Sequence, residues 1–314
     1  LYPVPIARSP RDVIGGLLLL SAQAAATTAT VDDFSITQVA PGVYVHQGMT
    51  VGFEDPGSDD IANIGFIVGG DCVLVVDAGG SYRIGRQLLA AIRSVTTRPV
   101  CYVVNTHVHP DHILGNAAFT DEGAVFVGHT RLPGALEHNR AFFLDQYGDA
   151  LQTAEGHAEL VAPTLLVEDS LDLDLGNRPV RIWAHAPAHT DQDLSLLDLN
   201  SGTLWLGHLF VERIPALDGD LRGWIDLTET LQKMDAERVI PGNGPLPQPW
   251  PNAGDAQLRY LRTLLDDVRG ILAQGGFLED ALDRAGVSER DRWALFEQHH
   301  GTNVTRVYTE LEWE

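Results

Sequence analysis

Three observations predict an α/β fold for this chain. Short β-branched runs broken by Gly, Pro and Asp begin at Phe34, residues 81–95 switch to helical spacing, and the apolar run VCYVVN then returns directly ahead of a histidine-rich turn. Strand, helix, strand, polar loop, helix, strand is the order of an α/β layout, in which functional side chains are mounted at strand ends.

Each element follows from local pattern. ITQVAPGVYVHQG, NIGFIVGG and DCVLVVDAGG predict strands joined by tight turns, the first hairpin-like and the later ones closer to continuous burial. SYRIGRQLLAAIRSV places Ile84, Leu88, Leu89 and Ile92 on one helical face, and Arg98-Pro99 closes the element. VCYVVN is a strand, a helix is expected to start near His112, and VFVG from Val125 is another strand. Residues 131–160 are helical in pattern, with Leu136, Phe143, Leu144, Tyr147 and Leu151, and are expected as an insertion beside the site. DLSLLDLNSGTLWLGHLF predicts a hairpin across Asn200-Ser201-Gly202, and LRGWIDLTETLQKMDAERVIPGNG a helix followed by VIPGNG. Over 251–314 the stripe Leu258, Leu261, Leu264, Leu265, Val268 and Ile271 predicts a helical extension packed on the domain.

With 44% hydrophobic and 20% charged residues in 314, the chain is long and apolar enough to bury a large core. Its 21 basic against 43 acidic residues, a formal charge of -22, repel a phosphate backbone and argue against a nucleic-acid partner. A small-molecule substrate is expected instead. Cys72 and Cys101 sit inside apolar runs without CxxC spacing and are expected as buried free thiols rather than a disulfide. Arg8 and Arg11 precede an apolar segment from Val13 to Leu20 and then small residues, which predicts a secretory signal over 1–28 and a periplasmic or secreted location. That segment is too short to span a bilayer comfortably, so no stable membrane insertion is expected after its removal.

NTHVHPDHILGN crowds His107, His109, Asp111 and His112 into six positions after a strand. A catalytic zinc takes nitrogen and oxygen donors at about 2 Å and keeps one position open. His107 and His109 can converge if the loop curls, Asp111 and His112 at the helix start can face an adjacent second metal, and His189 in APAHTDQD is the most credible distant ligand. The isolated histidines His46, His129, His138, His157, His185, His299 and His300 are expected as surface or hydrogen-bonded core residues.

His107-Val108-His109-Pro110-Asp111-His112 matches HxHxDH in full, and here the chain resembles the metallo-β-lactamase superfamily over approximately residues 34–250. The resemblance implies a four-layer αβ/βα sandwich with the metal site at the sheet edges, and one or two Zn2+ ions. It implies a first site of His107, His109 and His189, and a role for Asp77 of VVDAGG behind the ligands. THVHPDHILGNAAF and LFVERIPALDGDLRGW look particularly like the SoxH-related, quinoprotein-associated metallohydrolase-like proteins, implying a periplasmic oxidation-system partner.

Two positions depart from the pattern. Where the family has GD the chain has Gly207-His208, and where it has PGHG the chain has PGNG with Asn243. A bridging carboxylate serves two cations, whereas neutral imidazole serves one. The second site therefore retains Asp111 and His112, with His208 as a possible replacement ligand and Asn243 as a weak oxygen donor. Two metals, one metal, or a non-catalytic binding protein all remain open at this point.

The implied reaction is hydrolysis of a lactam, lactone, ester or thioester by a zinc-activated hydroxide, with Asp111 orienting the nucleophile and moving its proton. The other reading is a catalytically weak accessory of a quinoprotein oxidation system. Asp77, Asp191 and Asp193 are candidate acceptors for the outer ring nitrogens of the ligands. Arg213 and Trp224 are expected near the cleft. Arg213 is a candidate to hold a substrate carboxylate, and an ion pair with Glu212 or Asp218 explains it equally.

Overall fold

The computed structural model of the chain describes residues 34–154 and 156–313. The secretory signal expected over 1–28 lies outside the described residues. The first half of the fold runs β1 (Thr37–Ala40), β2 (Val43–His46), β3 (Ile64–Val68), β4 (Val73–Val76), α1 (Tyr82–Val95), β5 (Val100–Val104), α2 (Pro110–Ile113), β6 (Val125–His129) and α3 (Leu132–Gln146). It continues through β7 (Gln152–Thr153), β8 (Gly156–His157), β9 (Leu165–Val167), β10 (Ser170–Asp174), β11 (Pro179–Ala184), β12 (Leu194–Asp198) and β13 (Thr203–Phe210). The rest is α4 (Leu221–Leu231), β14 (Arg238–Asn243), β15 (Gln248–Pro249), α5 (Asp255–Ala273), α6 (Leu278–Arg284) and α7 (Phe296–Leu311).

Two sheets face each other. One is ordered β1-β2-β3-β4-β5-β6-β9 and the other β10-β11-β12-β13-β14-β15. The period-2 geometry of a strand explains how one apolar run serves two layers. In β4, Leu74 and Val76 enter the core between the sheets, while Val73 and Val75 turn outward to meet α1. In β13, Trp205 faces inward and Leu204 and Leu206 face outward toward Leu231 of α4. Helix α1 begins at Ser81, whose side chain accepts from the Ile84 amide at 3.1 Å, and buries Ile84, Leu88, Leu89 and Ile92. Each such side chain contributes roughly 1.5–3 kcal/mol by leaving water. The layers are helix, sheet, sheet, helix, the α/β sandwich expected.

The C-terminal helices α5, α6 and α7 pack with α4 and the segment after β13 around Trp224 and Tyr260. The predicted hairpin at Asn200-Ser201-Gly202 is present, with β12 and β13 antiparallel and Gly202 at φ 61. Among the described residues no helix is long and apolar enough to cross a membrane.

Three local expectations are corrected. Cys72 and Cys101 are not free thiols but a disulfide, with Cα atoms 5.8 Å apart. Parallel pairing of β4 with β5 brings Val73 opposite Val100, and so sets side by side two cysteines that lie 29 residues apart in sequence. The helix expected near His112 starts at Pro110, where proline's fixed φ suits the first helical turn, and spans only four residues. Within 131–160, helix ends at Gln146, and Gly148 and Gly156 lead into a 3-10 turn and the small β7–β8 hairpin.

Candidate metal centre

The site is built where β4 and β5 end side by side. Asp77, directly after β4, adopts φ 56, a left-handed conformation that costs a non-glycine residue roughly 1–2 kcal/mol. In that position its buried carboxylate accepts from Thr106 N at 2.8 Å, Thr106 Oγ1 at 2.8 Å and His112 Nδ1 at 2.7 Å. An ionised carboxylate only accepts, so the Thr106 hydroxyl donates to Asp77 and in turn accepts from His107 Nδ1 at 3.0 Å. The proton of His107 is thereby held on Nδ1 and its lone pair on Nε2. Gly207 is what leaves room for this relay: a Cβ there would lie 2.1 Å from Thr106 Oγ1.

His107, His109 and His189 each offer a ligand atom within 4.8 Å of the others. His189 Nε2 lies 3.1 Å from His109 Nδ1. Burial, reinforced by the neighbouring imidazoles, holds His107 and His189 well below the ordinary histidine range. Both rings are therefore neutral and carry lone pairs, the state in which imidazole ligates a metal. Three imidazole nitrogen donors converging from two loops fit one cation with an open position. Behind His189 stand the buried Trp224 ring, at 4.8 Å between centroids, and Phe210, at 5.3 Å.

Asp111 and His112 lie beside this group. His112 Nε2 is 3.3 Å from Asp111 Oδ2. Burial opposes charge on both, yet mutual attraction wins: Asp111 is held well below the usual carboxylate range, and His112, flanked by Asp111 and Asp77, is raised to about 10. They form a buried ion pair, and a cation ligated by His112 would have to displace its proton.

His208 and Asn243 are placed differently from the three histidines. His208 is buried in β13, its ring edge-on to His185 at 5.9 Å between centroids, with Nε2 lacking a hydrogen-bond partner. Among the described residues, Asp111, His112 and His208 do not make a second group of the kind the three histidines form. Asn243 donates from Nδ2 to Ile61 O at 2.7 Å and borders the cavity described below. Asp191 and Asp193 serve the loop rather than ligand rings. Asp193 accepts from Thr190 N at 2.9 Å and Thr190 Oγ1 at 2.6 Å, and Asp191 Oδ1 accepts from Gln192.

His107, His109 and His112 border a cavity of about 470 Å³ whose walls include Phe53, Phe142, Phe143 and Tyr147. Arg213 reaches it from the segment after β13. This side chain is buried, its guanidinium lies 5.2 Å from the Phe53 ring centre, and Nη1 has no hydrogen-bond partner. Neither ion pair weighed from sequence forms, since Asp218 pairs with Arg306 at 3.0 Å and lies 3.4 Å from His109 Nε2. Sequence reasoning missed Phe53, the contact of Asp218 with His109, and two residues of α7, His299 and Asn303, which also line the cavity. No local pattern marks these residues, and His299 and Asn303 reach the site only through the packing of α7. Of the other isolated histidines, His46 is held between Ser35 O and Asp60 and His300 between Tyr260 and Ala285 O, while His138 and His157 are exposed, the surface or hydrogen-bonded core roles expected.

Comparison with known proteins agrees with this geometry. A family profile described as Metallo-beta-lactamase superfamily matches residues 57–243, more than half of the chain. A linear primary-alkylsulfatase of Pseudomonas sp. (strain ATCC 19151) is 26% identical over 212 residues, covering 55% of this chain and 39% of that protein. The chain thus spans well under half the length of that relative. Among solved structures, a stereoselective inverting sec-alkylsulfatase from Pseudomonas sp. superposes with TM-score 0.69 at 16% identity, over 88% of this chain and 50% of the other. A metallo-beta-lactamase from Pontibacter korlensis gives TM-score 0.59 at 18% identity, over 73% of this chain and 98% of that one.

Proposed function

Since this chain belongs to the metallo-beta-lactamase superfamily, we propose that it is a metal-dependent hydrolase of a small anionic ester with an apolar arm, an alkyl sulfate ester being the first candidate. One observation carries the reading: the buried, unpartnered Nη1 of Arg213 shares a cavity with His107 and His109, two of the three convergent histidines, and with aromatic walls. A desolvated guanidinium with a free donor suits an oxyanion, and the aromatic walls suit a hydrocarbon chain. The alkylsulfatase relative supports the same substrate class. Lactams, lactones and thioesters, which the family resemblance implies equally, give Arg213 no anionic partner besides Asp111 unless they carry an acid group.

His107, His109 and His189 would hold one ion, with zinc as the metal that suits three imidazoles. When bound, that ion supplies Lewis acidity and makes a water more acidic. Arg213 orients the anionic end and offsets charge gathering on it. Asp111, kept ionised, accepts the proton of the attacking water. Phe142, Phe143 and Tyr147 exclude solvent from the apolar arm. Water's oxygen joins the attacked centre, the ester bond breaks, and the alcohol leaves with the proton that Asp111 took from the water. One ion is the simpler stoichiometry, because His208 faces His185 and His112 is engaged by two carboxylates.

Export to an oxidising compartment is part of the same proposal. It is supported by the apolar segment behind Arg8 and Arg11 and by the Cys72–Cys101 disulfide. Membership of the SoxH-related subgroup, and a quinoprotein oxidation partner, rest on the resemblance of two stretches alone.

The deciding experiment incubates the purified chain with a primary alkyl sulfate, a neutral aryl ester and a chromogenic cephalosporin, beside metal analysis. We expect one equivalent of zinc and turnover of the alkyl sulfate that chelator or His107→Ala abolishes. Turnover confined to a neutral ester would overturn the substrate class. Stoichiometric zinc with no turnover of any of them would favour the accessory reading.

A further inference from the structure

We propose that Asp218 is a positioning residue for His109, and that Arg306 of the C-terminal helix α7 holds it in place; this rests on the reading of His107, His109 and His189 as metal ligands. His109 turns Nδ1 toward His189 Nε2 at 3.1 Å, so Nδ1 must carry the lone pair and Nε2 the hydrogen if the ring is to ligate. Asp218 Oδ2 stands 3.4 Å from that Nε2, at the long end of hydrogen bonding, and as a carboxylate it only accepts. It therefore selects the ligating tautomer of His109, as Thr106 does for His107.

The same residue grips a second ligand loop. The Asp218 backbone N–H donates to His189 O at 3.2 Å, and Asp220 N donates to Ala188 O at 2.8 Å. Gly219 permits this close approach, since a Cβ there would lie 2.3 Å from Ala188 O. Arg306 completes the arrangement, with Nη2 at 3.0 Å from Asp218 Oδ1 and a further hydrogen bond to the Asp218 carbonyl oxygen. Asp218 thus joins His109 by its side chain and His189 by its backbone, and a helix 88 residues downstream fixes it.

The test measures zinc affinity of the full chain, stripped and refilled, by competition with a chromophoric chelator, together with the visible spectrum of the cobalt-substituted protein. Asp218→Ala should weaken zinc binding about 10–100-fold and shift the cobalt spectrum, the range expected when a partner of a ligating histidine is lost. Asp218→Asn, which keeps an acceptor but no charge, should fall between, and Arg306→Ala should move in the same direction by less. Asp172→Asn removes the same charge from an exposed pair with Arg181 and should change neither readout. Asp218→Ala within twofold of wild type, in a wild type that binds zinc and loses it in His107→Ala, would overturn the positioning role alone. A wild type that takes up no zinc would overturn both readings. If Asp218→Ala does not fold, Asp218→Asn and Arg306→Ala decide, and unchanged affinity in both would count against the proposal.

Discussion

At the scale of single residues, the chemistry depends on who donates to whom. Asp77 carries three hydrogen bonds that fix Thr106, and through it His107, and also His112. Asp77→Ala should therefore weaken metal binding on the order of 10–100-fold without removing any ligand, which calorimetric titration with zinc would read. Arg213→Lys keeps a charge but loses the planar fork, so KM for an alkyl sulfate should rise more than kcat falls; steady-state kinetics on an alkyl sulfate and a neutral ester would show the effect on the first only. Much of this layer was legible in the sequence: HxHxDH, His189, Asp77 and Arg213 all meet at the cavity or directly behind it. Asp218 was visible only as a possible partner for Arg213, because its contact with His109 spans 109 residues and leaves no local pattern.

At the scale of elements, the period of the apolar residues predicted well and register did not. The helical spacing at 81–95 gave α1, and the apolar runs gave β3 to β5, because burial on one or two faces writes itself into the residue order. Pairing between strands carries no such mark. The adjacency of Cys72 and Cys101 depends on β4 and β5 lying parallel with α1 between them, so two cysteines read as separate thiols are bonded. Replacing both by Ser, or reducing the bond, should lower stability by about 2–4 kcal/mol, measured as a shift of the urea unfolding midpoint with and without reductant.

At the scale of the whole molecule, buried histidines tie folding to acidity. In the metal-free protein His107 and His189 are held well below the unfolded value near 6.5, and burial pushes His185 down to about 4 and His208 to about 3. A depressed histidine binds its proton more readily once unfolded. The stability it contributes is thus present above the unfolded pKa and is lost as pH falls from about 6.5 toward the folded values. Asp193, raised to about 7 by burial, works the other way between its unfolded value of 3.8 and that point, and offsets part of one such group. Acidification from pH 7 to 4 should accordingly lower the unfolding temperature of metal-free protein, and His185→Gln should flatten the dependence in a pH series of thermal melts.

The cavity draws on more of the chain than the family profile covers. The three convergent histidines and Arg213 lie within residues 57–243, whereas Phe53, His299 and Asn303 stand outside it on either side. Arg213, Phe142, Phe143 and Tyr147 lie inside the profile with the ligands, so the outer stretches complete only one part of the pocket wall. Descendants that exchange those stretches would keep the ligands and the anion-binding arginine and reshape the rest of the pocket around them.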